Sequence, residues 1–189
     1  MNLKHITVLI TLSLNCITTV QSRDCKNDST YLAMRTEMSH AFNTGDSTDF
    51  FKSVTKLEDY LLKQGDLHLY YTQRCNEIVF LMNSQHIFEA YKKAQNLSKE
   101  LREKGLDKEM YMAVNMMGHI YRYCGNHEAA KKAFNEVIEL MEKYGYYESM
   151  PPIYMNIVNV EMDDDPNEAI EMRSRSEERR VGKECRYRW

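Results

Sequence analysis

The side chains in this sequence that could hold a metal ion are few and poorly spaced. His119, Cys124 and His127 lie close together in the chain, and imidazole and thiolate groups are ligands of zinc. Their spacing matches no familiar zinc pattern. The acidic run at residues 163–165 offers oxygen ligands for calcium, but acids just before Pro166 are also typical of the capped start of a helix. We therefore expect no metal ion and no cofactor.

The sequence also lacks recognisable catalytic motifs. It contains no glycine-rich phosphate loop, no pair of zinc-binding histidines at helical spacing and no nucleophile elbow. A pair of catalytic carboxylates cannot be singled out among acids that are expected at the surface. We therefore expect a protein that binds a partner rather than an enzyme.

The composition favours long helices as the elements that position any binding residues. Of 189 residues, 43% are apolar, only seven are Gly and three are Pro, while Met and Tyr number 13 each. This composition argues against disorder and against a turn-rich β-sandwich. The length is sufficient for one domain with a buried core.

The N-terminal segment, 1–22, has the layout of a secretory signal. Lys4 precedes an apolar run at residues 6–20, and small residues lie before an expected cleavage site after Ser22. The run is shorter than the roughly 20 residues that a membrane-spanning helix needs. We expect an exported, periplasmic protein without residues 1–22. The alternatives are an uncleaved membrane anchor and a lipoprotein attached through Cys16.

The C-terminal segment, 175–189, has no apolar period. The string RSEERRVGKEC resembles the in-frame translation of a widely used sequencing adapter, which would mean that the natural sequence is cut near residues 172–174; the alternative is a basic solvated tail. Without both ends, residues 23–174 carry 18 positive and 25 negative side chains. An acidic protein of this kind is not expected to bind nucleic acid or an anionic membrane surface. Membrane association is expected only through the leader or a missing downstream transmembrane helix.

Three cysteines lie between the two ends: Cys25, Cys75 and Cys124. An exported protein can form disulfides, but an odd number at these spacings matches no dense disulfide framework. One bridge between Cys25 and Cys75 is possible. Buried free thiols are the expected state.

A 40-residue spacing organises the chain between its ends. Gly65, Gly105 and Gly145 follow this spacing, and Gly45 and Gly125 are separated by twice that distance. Glycine is favoured just past the last turn of a helix, where a positive φ is often needed. Buried-type residues follow the same spacing in the sets Phe50, Ala90 and Ala130; Val54, Ala94 and Phe134; Leu57, Leu97 and Val137; and Leu61, Leu101 and Met141. The sequence therefore predicts about four copies of one unit.

Each copy is predicted to contain two amphipathic helices, A and B, joined by short turns. Helix A is predicted at 29–43, 67–83, 108–124 and 150–162, and helix B at 47–64, 85–104 and 127–144, with a fourth helix B beginning at Pro166. Asp46 and Asn126 are expected to cap helix starts. One helix pair cannot bury its apolar face alone, whereas stacked pairs can. We therefore predict an all-α solenoid of antiparallel helix pairs, wound into a right-handed superhelix with a concave surface.

The third copy resembles a tetratricopeptide repeat. Residues 116–134 read MMGHIYRYCGNHEAAKKAF, and the positions that match the family are Gly118, Tyr121, Gly125, Ala130 and Phe134. The small residues Gly118 and Ala130 are expected to let two helices approach, and Tyr121 and Phe134 to fill the seam. The resemblance covers about 29–174. It departs from the family in its longer period, since the usual one is about 34 residues, and at Met38, where the first copy lacks the small glycine.

The resemblance implies that helix A lines a groove that binds a protein or peptide. The family's groove positions correspond to Met112, Asn115, His119, Arg122 and Tyr123 in the third copy; Arg35, Ser39 and Asn43 in the first; Thr72, Val79 and Asn83 in the second; and Met155 and Asn159 in the fourth. Asn115, His119 and Arg122 share one helix face, where they could meet a peptide backbone or a carboxylate. The alternative is an ordinary solvated helix face.

An exported array of such repeats, rich in Tyr and Met, is similar to the periplasmic sensor region of membrane-bound regulators in Bacteroidetes-type bacteria. Such regulators continue through a transmembrane helix into a histidine kinase or a DNA-binding output. The resemblance implies the sensor part of a truncated two-component signalling protein. The alternative is a free periplasmic scaffold that assembles envelope proteins. A longer reading frame with kinase motifs would favour the sensor, and a stop codon after one or two more repeats would favour the scaffold.

Overall fold

A computed structural model of the chain describes residues 24–164. The predicted secretory signal, the predicted fourth helix B and the adapter-like tail lie outside the described residues. Within them the chain forms seven α-helices, two short 3-10 helices and no strand: α1 (Ser29–Thr44), α2 (Ser47–Gln64), α3 (Leu67–Asn83), α4 (Ile87–Glu103), α5 (Met110–Tyr123), α6 (His127–Tyr144) and α7 (Pro151–Asp164), with 3-10 turns at Asp107–Glu109 and Tyr147–Ser149. The all-α prediction is confirmed for this part of the chain. None of these helices combines the length and the apolar character needed to span a membrane.

Side-chain caps set several of the helix starts. The carboxylate of Asp46 accepts a hydrogen bond from the backbone N–H of Asp49 at 2.9 Å, and the amide oxygen of Asn126 accepts one from that of Ala129 at 3.1 Å. Both caps were predicted. Asp66 caps α3 in the same way, and its second oxygen accepts a hydrogen bond from the backbone N–H of Cys25. Such caps stabilise a helix by satisfying backbone donors that have no partner within it.

Six residues with a positive φ lie just after the ends of helices. They are equally spaced along the chain, at half of the 40-residue repeat spacing. They are Gly45, Gly65, Gln85, Gly105, Gly125 and Gly145. Five are the glycines of the 40-residue spacing, and the sixth lies midway between Gly45 and Gly125. The second copy therefore keeps the turn of the other copies although it lacks their glycine.

Helices that are adjacent in the sequence pack as pairs along the whole described chain. The short turns make the members of each pair antiparallel. The odd-numbered helices also contact one another: α3 packs on α5, and the rings of Phe42 in α1 and Phe80 in α3 lie 5.8 Å apart. We call α1, α3, α5 and α7 the odd-numbered layer, and α2, α4 and α6 the even-numbered layer.

The even-numbered layer contributes to the core the apolar positions that recur from copy to copy. Phe50, Ala90 and Ala130 are completely buried, and so are Val54, Ala94 and Phe134. The recurring sets that begin at Leu57 and Leu61 are buried as well; they are Leu57, Leu97 and Val137, and Leu61, Leu101 and Met141. Each helix of the even-numbered layer thus presents the same apolar face to its neighbours, as its spacing predicted.

Gly118 in α5 makes room for the ring of Phe134 in α6. A Cβ atom placed on Gly118 would lie 2.7 Å from Cε1 of Phe134, closer than real contacts allow. The sequence correctly identified Gly118 as a position of close approach. The group that requires glycine at this position is the ring of Phe134, however, and not the backbone of the opposite helix.

Cys75 and Cys124 are free thiols. The possible bridge between Cys25 and Cys75 is therefore not formed there. Cys25 is buried, and burial raises the pKa of the Cys75 thiol to about 12. The expectation of a buried thiol is wrong for Cys124, which is exposed because it lies in the turn after α5.

Candidate functional site

Three residues of the predicted groove line one open pocket of about 310 Å³. His119, Arg122 and Tyr123 contribute from the last two turns of α5. Met82 of α3 and Asp163 of α7 complete the lining. The pocket therefore joins three consecutive helices of the odd-numbered layer near their C-terminal ends.

Arg122 forms a two-point ion pair inside this pocket. Its Nε lies 2.7 Å from Oδ2 of Asp163, and its Nη2 lies 3.4 Å from Oδ1 of the same carboxylate. Asp163 lies within α7, and the helix start predicted at Pro166 lies outside the described residues. From the last turn of α7 the carboxylate reaches across to α5.

His119 is a hydrogen-bonding side chain held between two helices. Its ring meets that of Phe134 edge-on at a centroid distance of 5.2 Å. Nε2 lies 3.3 Å from the amide nitrogen of Asn156 in α7, and since an amide nitrogen donates, Nε2 accepts. Burial lowers the pKa of His119, and the charge of Arg122 lowers it further. The imidazole is therefore neutral at pH 7.

The metal cluster considered for His119, Cys124 and His127 has no counterpart in the geometry. Within residues 24–164, no three His, Cys, Asp or Glu side chains are grouped closely enough to hold a metal ion. His119 instead uses its Nε2 atom for Asn156.

Asn115 lies one helical turn before His119 on the same face of α5. Its side-chain oxygen is buried and has no hydrogen-bond partner within the described residues. A buried acceptor left without a donor costs free energy. Asn115 is not among the residues that line the pocket.

The other predicted groove residues lie on the odd-numbered layer but outside the pocket. Arg35, Asn43, Asn83 and Met155 are exposed, and Ser39, Thr72, Val79 and Asn159 are half-buried. Met112 is an exception, since it is buried in the main core cluster. Its assignment to the groove is wrong, because that face of α5 packs against the neighbouring helices.

A polar cluster between α2, α3 and α4 was not predicted. We define the Arg74 cluster as Glu58, Arg74, Glu77, Lys93 and Glu100. Arg74 Nε lies 3.9 Å from Glu58 and 3.6 Å from Glu77, and its Nη1 lies 3.5 Å from Glu100. Lys93 reaches Glu77 at 2.9 Å. The signal in the sequence is a pair of opposite charges, Arg74 and Glu77, on α3, a helix with no other Lys, Arg, Asp or Glu.

Glu58 is the member of the Arg74 cluster whose ionised form is disfavoured. Burial raises its pKa to about 7, repulsion from Glu77 adds to this shift, and Arg74 and Lys93 oppose it. One of its carboxylate oxygens is buried without a hydrogen-bond partner in the described part of the chain. The cluster thus links consecutive helix pairs through a carboxyl group that changes its charge near neutral pH.

No family model matches this chain, and no curated protein or solved structure shows significant similarity to it. Its function is therefore inferred from its own residues and their geometry.

Proposed function

We propose that residues 29–164 form a tetratricopeptide-like solenoid whose odd-numbered layer binds an extended protein or peptide segment. Support for the solenoid comes from the antiparallel pairs, the regular spacing of buried positions and the contacts between successive odd-numbered helices. The resemblance to tetratricopeptide repeats implies that the first helix of each pair lines the concave wall of a right-handed superhelix. Here those helices are α1, α3, α5 and α7.

The pocket that contains His119, Arg122 and Tyr123 is the observation that carries the binding proposal. It lies between helices that come from three copies, so a segment crossing the layer would meet all three. Amide and imidazole groups on such a wall can pair with the N–H and C=O groups of an extended backbone.

In the wider context, we propose an exported sensor or interaction module. This part of the proposal rests on the leader-like residues 1–22 and on the resemblance to periplasmic sensor regions. A free periplasmic scaffold is the alternative. Reading frames recovered from independent sequencing would distinguish the two, as transmembrane and kinase segments belong only to the sensor.

Peptide selection tests the binding proposal directly. A random library of displayed dodecapeptides would be selected against the chain, and the binders measured by isothermal titration calorimetry. We expect Tyr123→Ala to weaken the selected peptides by about tenfold or more, as expected for an exposed aromatic contact in a binding pocket.

The matched control is Lys132→Ala, which truncates an exposed side chain on α6 in the other layer. It should leave binding unchanged. Peptides that bind the two variants and the unaltered chain equally well would contradict a binding site on the odd-numbered layer.

A further inference from the structure

We propose that this pocket receives an uncharged part of an extended peptide, and that Asp163 sets this preference by neutralising Arg122. The inference rests on the proposed function, because it specifies what the same pocket accepts. It differs from the expectation, drawn from the sequence, that Arg122 could hold a carboxylate.

The charges of the pocket balance one another. Among the described residues that line it, Arg122 is the only cation at neutral pH and Asp163 is the only anion. The two groups meet through two nitrogen–oxygen contacts, so the Nε–Nη2 edge of the guanidinium is already occupied and its charge is balanced. The imidazole of His119 adds no charge because burial lowers its pKa.

The backbone around the pocket also disfavours an anion. Met82 and Tyr123 lie in the last turns of α3 and α5. Helix C-terminal ends carry a partial negative charge, equivalent to roughly half an elementary charge each. A carboxylate entering between these two ends would be repelled.

The distribution of charge over the two layers agrees with an uncharged partner. Helices α2, α4 and α6 carry six, seven and seven charged side chains, whereas α1, α3, α5 and α7 carry two, two, one and three. Both charges of α3 belong to the Arg74 cluster, and Glu37 of α1 pairs with Lys56 of α2. The three on α7 lie in its last turn. The odd-numbered layer is therefore a largely uncharged wall beside a highly charged one.

Met82 and Tyr123 indicate which uncharged groups would fit. The Tyr123 side chain is exposed over 56% of its surface, so its ring is accessible to a ligand. Methionine adapts its shape to apolar partners, and tyrosine combines apolar area with one hydrogen-bonding group. We infer a ligand segment with apolar or amide side chains, bound through its backbone and through one such side chain in the pocket.

Charge-matched peptide libraries test this inference. Acetylated and amidated nonapeptides would be prepared in three sets whose central positions are uncharged, acidic or basic, and each set would be measured on the chain by fluorescence polarisation. We expect the uncharged set to bind at least about tenfold more tightly than the acidic set. A carboxylate that enters the pocket without a partner loses its hydration, and this loss costs more free energy than a tenfold change in affinity represents. Binding of the uncharged set should change little between about 50 and 500 mM salt.

Asp163→Asn is the decisive variant because it frees the charge of Arg122. It should strengthen binding of the acidic set by about tenfold, the effect of one charge-assisted hydrogen bond. Asp59→Asn removes the same charge from the even-numbered layer and should not alter the preference.

The outcomes separate this inference from the proposed function on which it rests. Acidic peptides that bind the unaltered chain most tightly, and lose affinity in Tyr123→Ala, would overturn the inference and leave the binding proposal standing. An equal effect of Asp163→Asn and Asp59→Asn would also overturn it. If no set binds in a Tyr123-dependent manner, both proposals fail.

Discussion

Gln85 and Gly125 occupy the same place in the turns of consecutive copies, with φ angles of +64° and +72°. The fold therefore imposes a left-handed backbone conformation on a residue with a full side chain. In this conformation the Cβ atom of a non-glycine residue crowds the backbone, at a cost of about 1 kcal/mol or more. The turn persists because the packing of α3 against α4 determines where the chain must reverse.

Replacing Gln85 with Gly should stabilise the protein by about 0.5–1 kcal/mol, the relief of strain less the greater entropy of glycine in the unfolded chain. Urea unfolding of the two proteins measures this difference. The reverse change, Gly125→Gln, should lower stability by about 1 kcal/mol. A loss of stability in Gln85→Gly would contradict the strain.

The contact between Gly118 and Phe134 leads to a second prediction. Gly118→Ala should destabilise the fold by about 1–3 kcal/mol, because the new methyl group would collide with a buried ring. Thermal unfolding would show the loss. In the background of Phe134→Leu the same change should cost much less, and a double-mutant cycle would measure this coupling. Additive effects would argue against the contact.

The Arg74 cluster predicts an unusual pH dependence of stability. The pKa of Glu58 rises from its ordinary value of 4.5 to about 7 on folding, so the folded chain binds the proton more tightly than the unfolded chain. The contribution of Glu58 to the free energy of unfolding is therefore fully present below about pH 4.5. It is lost as the pH rises through about 7, and the loss amounts to at most about 3 kcal/mol.

Glu58→Gln should remove this pH dependence and make the protein more stable than the unaltered chain above about pH 7. Urea unfolding at several pH values gives the comparison. Glu37→Gln, a change at an exposed carboxylate, is the control and should preserve the slope. An unchanged slope in Glu58→Gln would show that other groups cause it.

The thiols of Cys75 and Cys124 should differ widely in reactivity. Cys124 is exposed and should be alkylated by iodoacetamide in the folded protein. Cys75 should react far more slowly, because its pKa is raised to about 12 and the thiolate is the reactive form. Mass spectrometry of the labelled peptides identifies each site, and unfolding in urea is the control that should expose both. Rapid labelling of Cys75 in the folded protein would contradict its burial.

The ion pair between Arg122 and Asp163 should contribute little to stability. Asp163 is 41% exposed, so water and salt screen the attraction. A double-mutant cycle with Arg122→Gln and Asp163→Asn should give a coupling below about 1 kcal/mol that weakens with added salt. A larger coupling would mean that Asp163→Asn perturbs the fold as well as the pocket.

The helices were predictable because their signals are local. Apolar residues at helical spacing, the caps at Asp46 and Asn126 and the glycines at helix ends all act over short stretches of the chain. The boundaries of α2, α3 and α6 agree with the prediction, and those of the other helices differ only slightly. The fate of Asp163 was not predictable in this way, because its partner Arg122 belongs to the preceding copy.

The candidate site combines both kinds of information. That His119, Arg122 and Tyr123 lie near one another follows from their spacing on a single helix. The packing of α3 and α7 against α5 decides the rest. It brings Met82 and Asp163 to the same pocket, buries Met112 in the core and neutralises the charge of Arg122. A one-dimensional pattern specifies which residues share a helix face. The charge and accessibility of that face depend on which side chains the neighbouring helices bring to it, and those contacts exist only once the chain has folded.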